Sequence, residues 1–354
     1  MNEWKNNLRK IKPYVPGEQS KEKNIVKLNA NENPYPPSPK AIEALKAFNA
    51  ESLRLYPHAD ATPLKAAIAE YYGVEIENVF LGNGSDDVIA LAFQAFFNSE
   101  KPILFPDITY SFYPVWCELF KIPFKTPALN KDFRINIDDY SSENGGIVFP
   151  NPNAPTSICE GEEFIRKLLD NNTDSVVIVD EAYVDFGGYS SVTLTKEYEN
   201  LLVTGTFSKS RSLAGLRIGF AIGSKALISV LEAVKNSYNS YTVDALSIAM
   251  GIESVKDDEY FKATTAKIID TRERLKAELE ALGFMVLDSS ANFLFATHEK
   301  HNMKEMFEYL KTKKVFIRYF NLPRIDNYVR ITIGTDSETD ILISEIRNYI
   351  NKGE

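Results

Sequence analysis

Cysteine and histidine are scarce in this sequence. Its 354 residues include two cysteines, Cys117 and Cys159, and three histidines, His58, His298 and His301. No CxxC or HExxH motif and no cluster of carboxylates accompanies them, so the usual ligand sets of a catalytic metal are missing. We therefore expect no metal site, and so few cysteines are typical of a protein from a reducing compartment.

An excess of basic charge and long apolar runs are also missing. The chain has 40 basic and 49 acidic residues, a net charge of -9, and no run rich in lysine or arginine, which argues against a nucleic-acid partner. No apolar run approaches the roughly 18 residues of a membrane span, and the opening residues lack the apolar region of a secretory signal. The sequence favours a cytoplasmic protein without a nucleic-acid or membrane partner.

The middle of the chain repeats one pattern. Short β-branched runs that end in small or polar residues alternate with helical patterns from about residue 79 to 222. Such runs, apolar without alternation, are typical of strands buried on both faces of a mostly parallel sheet between helices. The runs are NVFLGNG, KPILFP, GGIVFPNPN, SVVIVDEAY, NLLVTGTFSK and RIGFAIG.

The two ends of the chain differ from this middle part. A single core stops growing at roughly 250 to 300 residues, so two domains are expected. We predict a proline-rich N-terminal arm (1–45), a large α/β domain (46–255) and a smaller α+β domain (256–354) that packs with part of the arm. Within the large domain, Thr62 followed by Pro63 indicates the N-cap and first position of a helix.

Two polar groups follow predicted strands. Asp180 ends the run SVVIVD, where a buried carboxylate is costly unless a cation or a hydrogen-bond donor meets it. It is either an acid that caps a helix or loop, or the partner of a protonated pyridine nitrogen. Gly84, Ser85 and Asp86 lie where a strand turns into a helix, which is either a plain capping turn or a phosphate seat.

A third group lies in TGTFSKSRSLAGLRIGF, residues 204–220. Thr206 and Ser208 can donate to phosphate oxygens, and the guanidinium of Arg217 can neutralise them. Lys209 would then lie beside a phosphate, whereas an ordinary lysine is surrounded by solvent. An amine so placed suits a Schiff base and a proton shuttle.

These residues resemble a known family. TFSKSRSLAGLRIG resembles the T-x-S-K-x-x-x-L-A-G-L-R-x-G signature of the fold type I aminotransferases of subgroup I, and the other motifs follow in family order over nearly the whole chain. The arm, the NENP start, the short length and FIRYF before Arg330 are most similar to the histidinol-phosphate aminotransferase family. The motifs are LNANENPYPPSP, LYPHAD, GNGSDD, ITYSFY, NPNAPT, DEAY, ANFLF and VRITIG.

The resemblance implies a fold and a reaction. A mostly parallel seven-stranded sheet forms the large domain, and pyridoxal 5'-phosphate is the cofactor. L-Histidinol phosphate and 2-oxoglutarate give imidazole acetol phosphate and glutamate by a ping-pong reaction in histidine biosynthesis. A homodimer with shared active sites is implied as well.

The resemblance also implies roles for individual residues. In the cofactor site, Lys209 forms the Schiff base, Asp180 pairs with the ring nitrogen, Tyr183 meets the ring hydroxyl and Tyr110 stacks on the ring. The phosphate is held by Gly84, Ser85, Asp86, Thr206, Ser208 and Arg217, with Tyr56 of the neighbouring subunit. The substrate is contacted by Arg330 at its carboxylate, Arg318 at its phosphate, Tyr14 and Asn33, with Arg324 as a competitor for either arginine role.

The sequence departs from the family pattern at NPNAPTS. The family has N-P-N-N-P-T-G, so Ala154 replaces the asparagine that bonds the ring hydroxyl, and Ser157 replaces a glycine. Asn153 is the expected substitute. His58 also stands where the family usually has aspartate.

Other functions stay open. Aromatic amino acid aminotransferases and O-phosphothreonine decarboxylases have similar sequences, and few contacts separate such substrates. A non-catalytic regulator of this fold would need a DNA-binding module, for which the arm is too short. No GxGxxG follows the first strand, which disfavours a nucleotide-binding dehydrogenase.

Overall fold

The computed structural model describes residues 3–14, 18 and 22–351, and these build helices and strands in the following order. The α-helices are α1 (Pro39–Ala47), α2 (Thr62–Tyr72), α3 (Ser85–Phe96), α4 (Tyr113–Phe120), α5 (Glu162–Asp170), α6 (Lys225–Tyr238), α7 (Ala245–Lys256), α8 (Asp258–Ala281), α9 (Met303–Thr312) and α10 (Asp336–Asn351). The strands are β1 (Val26–Lys27), β2 (Val79–Asn83), β3 (Ile103–Leu104), β4 (Phe124–Lys125), β5 (Ile147–Pro150), β6 (Val177–Asp180), β7 (Leu201–Thr206), β8 (Ile218–Gly223), β9 (Phe284–Val286), β10 (Phe293–His298), β11 (Val315–Phe316), β12 (Arg318–Tyr319) and β13 (Val329–Thr332). Short 3-10 helices cover Glu3–Asn7, Ala50–Arg54, Ile76–Asn78, Ile137–Tyr140, Val184–Phe186, Ser191–Lys196 and Ala214–Leu216.

The large sheet confirms the predicted α/β fold. Its strand order is β2-β8-β7-β6-β5-β3-β4, parallel except for β8, which runs antiparallel to both of its neighbours. Every residue of β5, β6 and β7 is buried. Along β6, Val177 and Val179 join the core on one face of the sheet and Ile178 joins the core on the other. Helices therefore cover both faces, which is why the sequence runs are apolar without alternation.

A second sheet follows in the last third of the chain. Its order is β12-β13-β10-β9, all antiparallel, and its core includes Leu294 and Ile331 of the sheet with Leu275 and Leu342 of the helices. Strand β1 of the arm pairs in parallel with β11, which ties the arm to this part of the chain. The boundary predicted between residues 255 and 256 falls inside the last turn of α7 and remains a prediction.

The structure corrects one local prediction, and another lies partly outside the described residues. Thr62 is not an N-cap: α2 begins at Thr62 itself, with Ala61 before it and Pro63 in second position. The Asp60 carboxylate accepts from the backbone N–H of Thr62 at 3.2 Å, so aspartate supplies the acceptor expected from threonine. Part of the PYVPG arm motif, residues 15–17, lies outside the described residues. None of the helices in the described ranges is both long and apolar enough to cross a membrane.

Candidate active site

A cavity of about 280 Å³ opens at the carboxyl ends of the parallel strands. It is bounded by Pro150 and Asp180, which end β5 and β6, by the loop after β7, and by Arg330 of β13. Polar residues that follow parallel strands meet at one edge of the sheet, which is where ligands bind in such folds. The predicted site residues found in its lining are Tyr14, Ser85, Asp86, Tyr110, Asp180, Tyr183, Thr206, Ser208, Lys209, Arg217, Arg318 and Arg330.

The start of α3 and the side chain of Arg217 form one end of the cavity. Gly84, just before the helix, has φ of +85°, and a Cβ there would lie 2.5 Å from Arg217 Nη2. Only glycine fits this position, because it tolerates the left-handed backbone and lets the guanidinium approach. The free backbone N–H groups at the start of α3 and the guanidinium then face the same space, as an anion site requires.

The Asp86 carboxylate positions its neighbours rather than facing an anion. It accepts from Arg217 Nη2 at 3.0 Å and from the Tyr110 hydroxyl at 2.7 Å. Two anions repel, so we assign the predicted phosphate contact of Asp86 to its backbone N–H group alone. Burial and the adjacent Asp86 raise the pKa of Tyr110 far above its ordinary value, so this phenol stays protonated.

The loop after β7 completes this end. The Ser208 N–H donates to Thr206 Oγ1 at 3.1 Å, and the Thr206 hydroxyl donates to Ser208 Oγ at 3.0 Å. Arg217 Nη1 lies 3.5 Å from Ser208 Oγ. Helix N–H groups, hydroxyls and one forked cation therefore converge, which fits the phosphate of pyridoxal phosphate.

Asp180 lies deep in the cavity. It is 4% exposed, and it accepts from the Tyr113 hydroxyl at 3.2 Å and from Thr204 Oγ1 at 3.4 Å. Burial raises the pKa of its carboxyl to about 6, because these hydrogen bonds and one from the Ala182 backbone N–H compensate only part of the lost hydration. Among the described residues no cation forms an ion pair with it, so a protonated pyridine nitrogen fits this position.

Lys209 lines the same cavity as this carboxylate. Its Nζ donates to the Ala30 carbonyl at 3.4 Å and lies 5.6 Å from the ring centroid of Tyr183. Asn33, predicted to contact the substrate, instead donates through Nδ2 to the carbonyls of Lys209 at 3.0 Å and Ser210 at 3.2 Å. Asn33 is absent from the cavity lining and holds the backbone of Lys209.

Two arginines of the second sheet line another part of the cavity. Arg318 and Arg330 are paired residues on neighbouring strands, and both line it. Arg330 donates through Nη2 to the Asn29 carbonyl at 2.9 Å, while its buried Nε has no hydrogen-bond partner among the residues that the structure describes. Burial, with Arg318 nearby, lowers the pKa of Arg330. An anion at this end would satisfy the unpaired donor, as predicted for a substrate carboxylate.

Tyr14 of the arm lies at the cavity, whereas Arg324 of the loop before β13 lies away from its lining. Tyr14 lines the cavity and stacks on Phe112 with ring centroids 4.2 Å apart, and burial raises the pKa of Tyr14. Arg324 donates to Asp107 at 2.6 Å and to the Leu129 carbonyl at 2.6 Å, and it does not line the cavity. Arg318 is therefore the better placed of the two competing arginines.

The structure does not bring Asn153 or Tyr56 into the cavity of this chain. The Asn153 amide donates to the Ile108 carbonyl and Thr156 Oγ1, and its oxygen accepts from Thr109 Oγ1. Its hydrogen bonds are thus made within the loops, and these contacts do not support Asn153 as a substitute for the missing asparagine. Tyr56 is 81% exposed and stacks on Tyr241 with centroids 4.5 Å apart, so its predicted role on a neighbouring subunit stays a prediction.

Sequence reasoning did not find Tyr113, Thr204 or Asn31. Tyr113 and Thr204 hold Asp180, and Asn31 donates to the Tyr183 hydroxyl at 3.0 Å. Thr204 is the first residue of the stretch TGTFSKSRSLAGLRIGF on β7, next to Asp180 in the sheet register, and that neighbouring position was an available signal. Tyr113 comes from a helix and Asn31 from the arm, and no local pattern indicates either contact.

Comparison with known proteins identifies the family of the chain. The family model for aminotransferase class I and II matches residues 23–346. A histidinol-phosphate aminotransferase of Clostridium botulinum (strain Okra) is 50% identical over 349 residues, with 99% of each chain covered. One of Acinetobacter baumannii (strain SDF) is 51% identical over 350 residues, covering 98% of this chain and 97% of the other.

A solved structure shows the same fold. The histidinol-phosphate aminotransferase of Sinorhizobium meliloti, in complex with pyridoxal-5'-phosphate, superposes with a TM-score of 0.84 at 21% identity, covering 92% of this chain and 91% of the other. The chain belongs to the aminotransferase class I and II family and, within it, to the histidinol-phosphate aminotransferases.

Proposed function

We propose that this chain uses pyridoxal 5'-phosphate to transfer the amino group of L-histidinol phosphate to 2-oxoglutarate, giving imidazole acetol phosphate and glutamate in histidine biosynthesis. The observation that carries the proposal is the buried Asp180 carboxylate, which forms no ion pair with any described residue, in one cavity with Lys209 and with Arg217 of the phosphate seat. When bound, the cofactor supplies an aldehyde that takes up the amino group and a pyridinium ring that accepts electrons from the substrate carbon.

The residues of the chain hold the cofactor and move the proton. Asp180 holds a proton on the ring nitrogen by its negative charge, and Tyr183 donates to the ring hydroxyl. Lys209, as a free amine, removes and returns the proton at the reacting substrate carbon, and Asn33 keeps its backbone in position for that transfer. Arg217 holds the phosphate at a fixed point, so the reacting atoms approach Lys209 in one geometry.

Two arginines suit the two anionic substrates. Arg330 would bind the carboxylate of glutamate or 2-oxoglutarate, because its unpaired Nε and its fork match a carboxylate. Arg318, opposite it on β12, would bind the phosphate of the amino donor. Tyr14, half-buried and stacked on Phe112, would exclude water from the substrate.

We further propose a homodimer with shared active sites. Apolar and aromatic side chains that are large and exposed cluster in the segments around Tyr56 and Tyr241, which stack on each other. Such surfaces mark protein interfaces. In the dimer, Tyr56 would contact the cofactor phosphate of the neighbouring subunit. We place the enzyme in the cytoplasm, where its two free cysteines stay reduced.

A substrate panel on the purified holoenzyme tests the proposal. L-Histidinol phosphate, phenylalanine and O-phosphothreonine are each supplied with 2-oxoglutarate, and glutamate and carbon dioxide are measured. We expect the highest kcat/KM for histidinol phosphate. A preference for phenylalanine would make the protein an aromatic aminotransferase, and release of carbon dioxide from O-phosphothreonine would make it a decarboxylase.

A further inference from the structure

We infer that Asn31 is a positioning residue that turns the Tyr183 hydroxyl into a hydrogen-bond donor toward the cavity, and so takes over from the asparagine that Ala154 replaces. The inference rests on the proposed use of pyridoxal phosphate. It concerns the groups of this chain that meet the ring hydroxyl of that cofactor.

Ala154 places a methyl group beside the ring of Tyr183. This methyl group lines the cavity and clusters with Ala291, Phe293 and the ring of Tyr183. Tyr183 and Phe293 meet edge to face with centroids 5.0 Å apart. Residue 154 is therefore adjacent to Tyr183, but its methyl group cannot form a hydrogen bond. The Tyr183 hydroxyl can.

Hydrogen bonds to Thr332 and Asn292 fix the orientation of Asn31. The Thr332 hydroxyl accepts from the Asn31 backbone N–H at 3.0 Å and donates to Asn31 Oδ1 at 3.0 Å. The Asn31 carbonyl accepts from Asn292 Nδ2 at 3.1 Å, and Asn31 is 1% exposed. Because Oδ1 is the acceptor for the Thr332 hydroxyl, the remaining side of the amide, Nδ2, points at Tyr183.

This orientation of the amide determines where the Tyr183 hydroxyl can donate its proton. Asn31 Nδ2 donates to the Tyr183 oxygen at 3.0 Å. An amide NH2 group cannot accept, so the phenol proton is free to point elsewhere, and the cavity that Tyr183 lines is open to it. Tyr183 then donates to an acceptor in the cavity, which is the role that the missing asparagine would have shared.

A donor of this kind has a spectroscopic consequence. It stabilises negative charge on the ring oxygen, so it favours the deprotonated form of the cofactor bound to Lys209. Weakening it raises the pH midpoint at which the visible absorbance of the holoenzyme changes. The ionisable groups near Tyr183 include Lys209, Arg330, Tyr14, Tyr110 and Tyr113, with Asp180 in the same cavity, and Asn31→Ala replaces none of them.

The experiment is a pH titration of the visible absorbance of holoenzyme variants. Asn31→Ala should raise the midpoint by about 0.5 to 1 pH unit, the equivalent of one ordinary hydrogen bond. The matched control is Asn144→Ala, which also removes a buried side-chain amide, one with three hydrogen bonds against the two of the Asn31 amide, but lies before the amino end of β5, away from the cavity. It should leave the midpoint at the wild-type value.

Two further variants test whether Asn31 acts through Tyr183. In a Tyr183→Phe background, Asn31→Ala should cause no additional shift, and a full additional shift would overturn the inference. Thr332→Val frees the Asn31 amide to rotate, so it should raise the midpoint by a smaller amount and gives a second measurement if Asn31→Ala folds poorly. A midpoint for both Asn31→Ala and Thr332→Val equal to that of the control would also overturn it.

The proposed function fails separately. If the wild-type protein shows no visible absorbance with pyridoxal phosphate and no glutamate formation, the cofactor assignment itself is wrong. If the wild type shows both and the Asn31 and Thr332 variants leave the midpoint unchanged, only the role of Asn31 is wrong.

Discussion

The Asp180 carboxylate accepts a hydrogen bond from the Tyr113 hydroxyl at 3.2 Å in a place that solvent hardly reaches. Burial raises the pKa of Asp180 from 3.8 to about 6, whereas pairing with a ring cation would lower it again. The cofactor-free protein therefore carries an electrostatic cost that the ligand removes, and this relation gives the first prediction.

Asp180→Asn should stabilise the cofactor-free protein while abolishing catalysis. A carboxyl whose folded pKa is raised contributes stability at low pH that is lost as the pH rises from about 4 through about 6, on the order of 3 kcal/mol in all. The Asp180→Asn variant has no carboxyl at this position, so it does not lose this stability as the pH rises. Its melting temperature without cofactor should exceed that of the wild type at about pH 8, and the gap should close near pH 4.

The matched control for that change is Glu181→Gln. Glu181 is also buried with a pKa raised to about 8, but Ser190 and Ser191 hold its carboxylate and it does not line the cavity. We expect the variant to keep its turnover. An Asp180→Asn protein that melts below the wild type across the whole pH range would contradict the assigned cost.

Lys209→Ala should abolish turnover and covalent attachment of the cofactor. Removing a group that both attaches the cofactor and moves the proton should slow the reaction at least about a thousandfold. The measurement is the mass of the protein after borohydride reduction, with Lys27→Ala as control, because Lys27 also lines the cavity but is paired with Glu32. Attachment that survives in Lys209→Ala and disappears in Lys27→Ala would reassign the reactive lysine.

Arg217→Ala should weaken the binding of pyridoxal phosphate about ten- to hundredfold, the usual effect of losing a charge-assisted contact. Binding of pyridoxal, which has no phosphate, should change little. Dissociation constants of both ligands for both proteins form a cycle that isolates the phosphate contact. An equal loss for the two ligands would show that Arg217 acts on the structure of the site instead.

Arg330→Lys and Arg318→Lys should separate the two substrates. The first should raise the KM for 2-oxoglutarate, since lysine lacks the fork that grips a carboxylate. The second should raise the KM for histidinol phosphate more than that for 2-oxoglutarate. Steady-state kinetics with each substrate varied in turn gives the comparison, and identical effects of both variants on both substrates would contradict these roles.

Mixed dimers test the placement of Tyr56. If Tyr56 acts on the neighbouring subunit, a mixture of Tyr56→Ala and Lys209→Ala chains contains heterodimers with one site free of both changes. Unfolding and refolding the mixture should then restore about a quarter of the wild-type activity, because half of the dimers have one intact site in two. No recovery would show that Tyr56 serves its own chain or none.

Much of the fold was predictable because buried strands leave a plain signal. All six apolar runs contain strands of the large sheet, β2, β3, β5, β6, β7 and β8. Strand β4, Phe124–Lys125, gave no such signal because it is an exposed edge of two residues. The antiparallel direction of β8 depends on how the chain returns after the lysine loop, and apolar content does not encode that direction.

The site was predictable where chemistry demands one residue type. Lys209, Asp180 and Arg217 are required as an amine, a carboxylate and a cation, and the structure brings all three to one cavity. Amides were not predictable in this way, because an asparagine serves equally well for backbone support. Asn33 and Asn153 turned out to hold loops, whereas Asn31, two residues from Asn33, contacts the cavity tyrosine.

A single-turnover experiment tests the central claim most directly. The holoenzyme is mixed with excess L-histidinol phosphate without any 2-oxo acid, and products are measured before and after 2-oxoglutarate is added. We predict one equivalent of imidazole acetol phosphate per active site in the first phase, no carbon dioxide, and glutamate only in the second phase. Product that appears only when both substrates are present, or carbon dioxide in the first phase, would contradict the account.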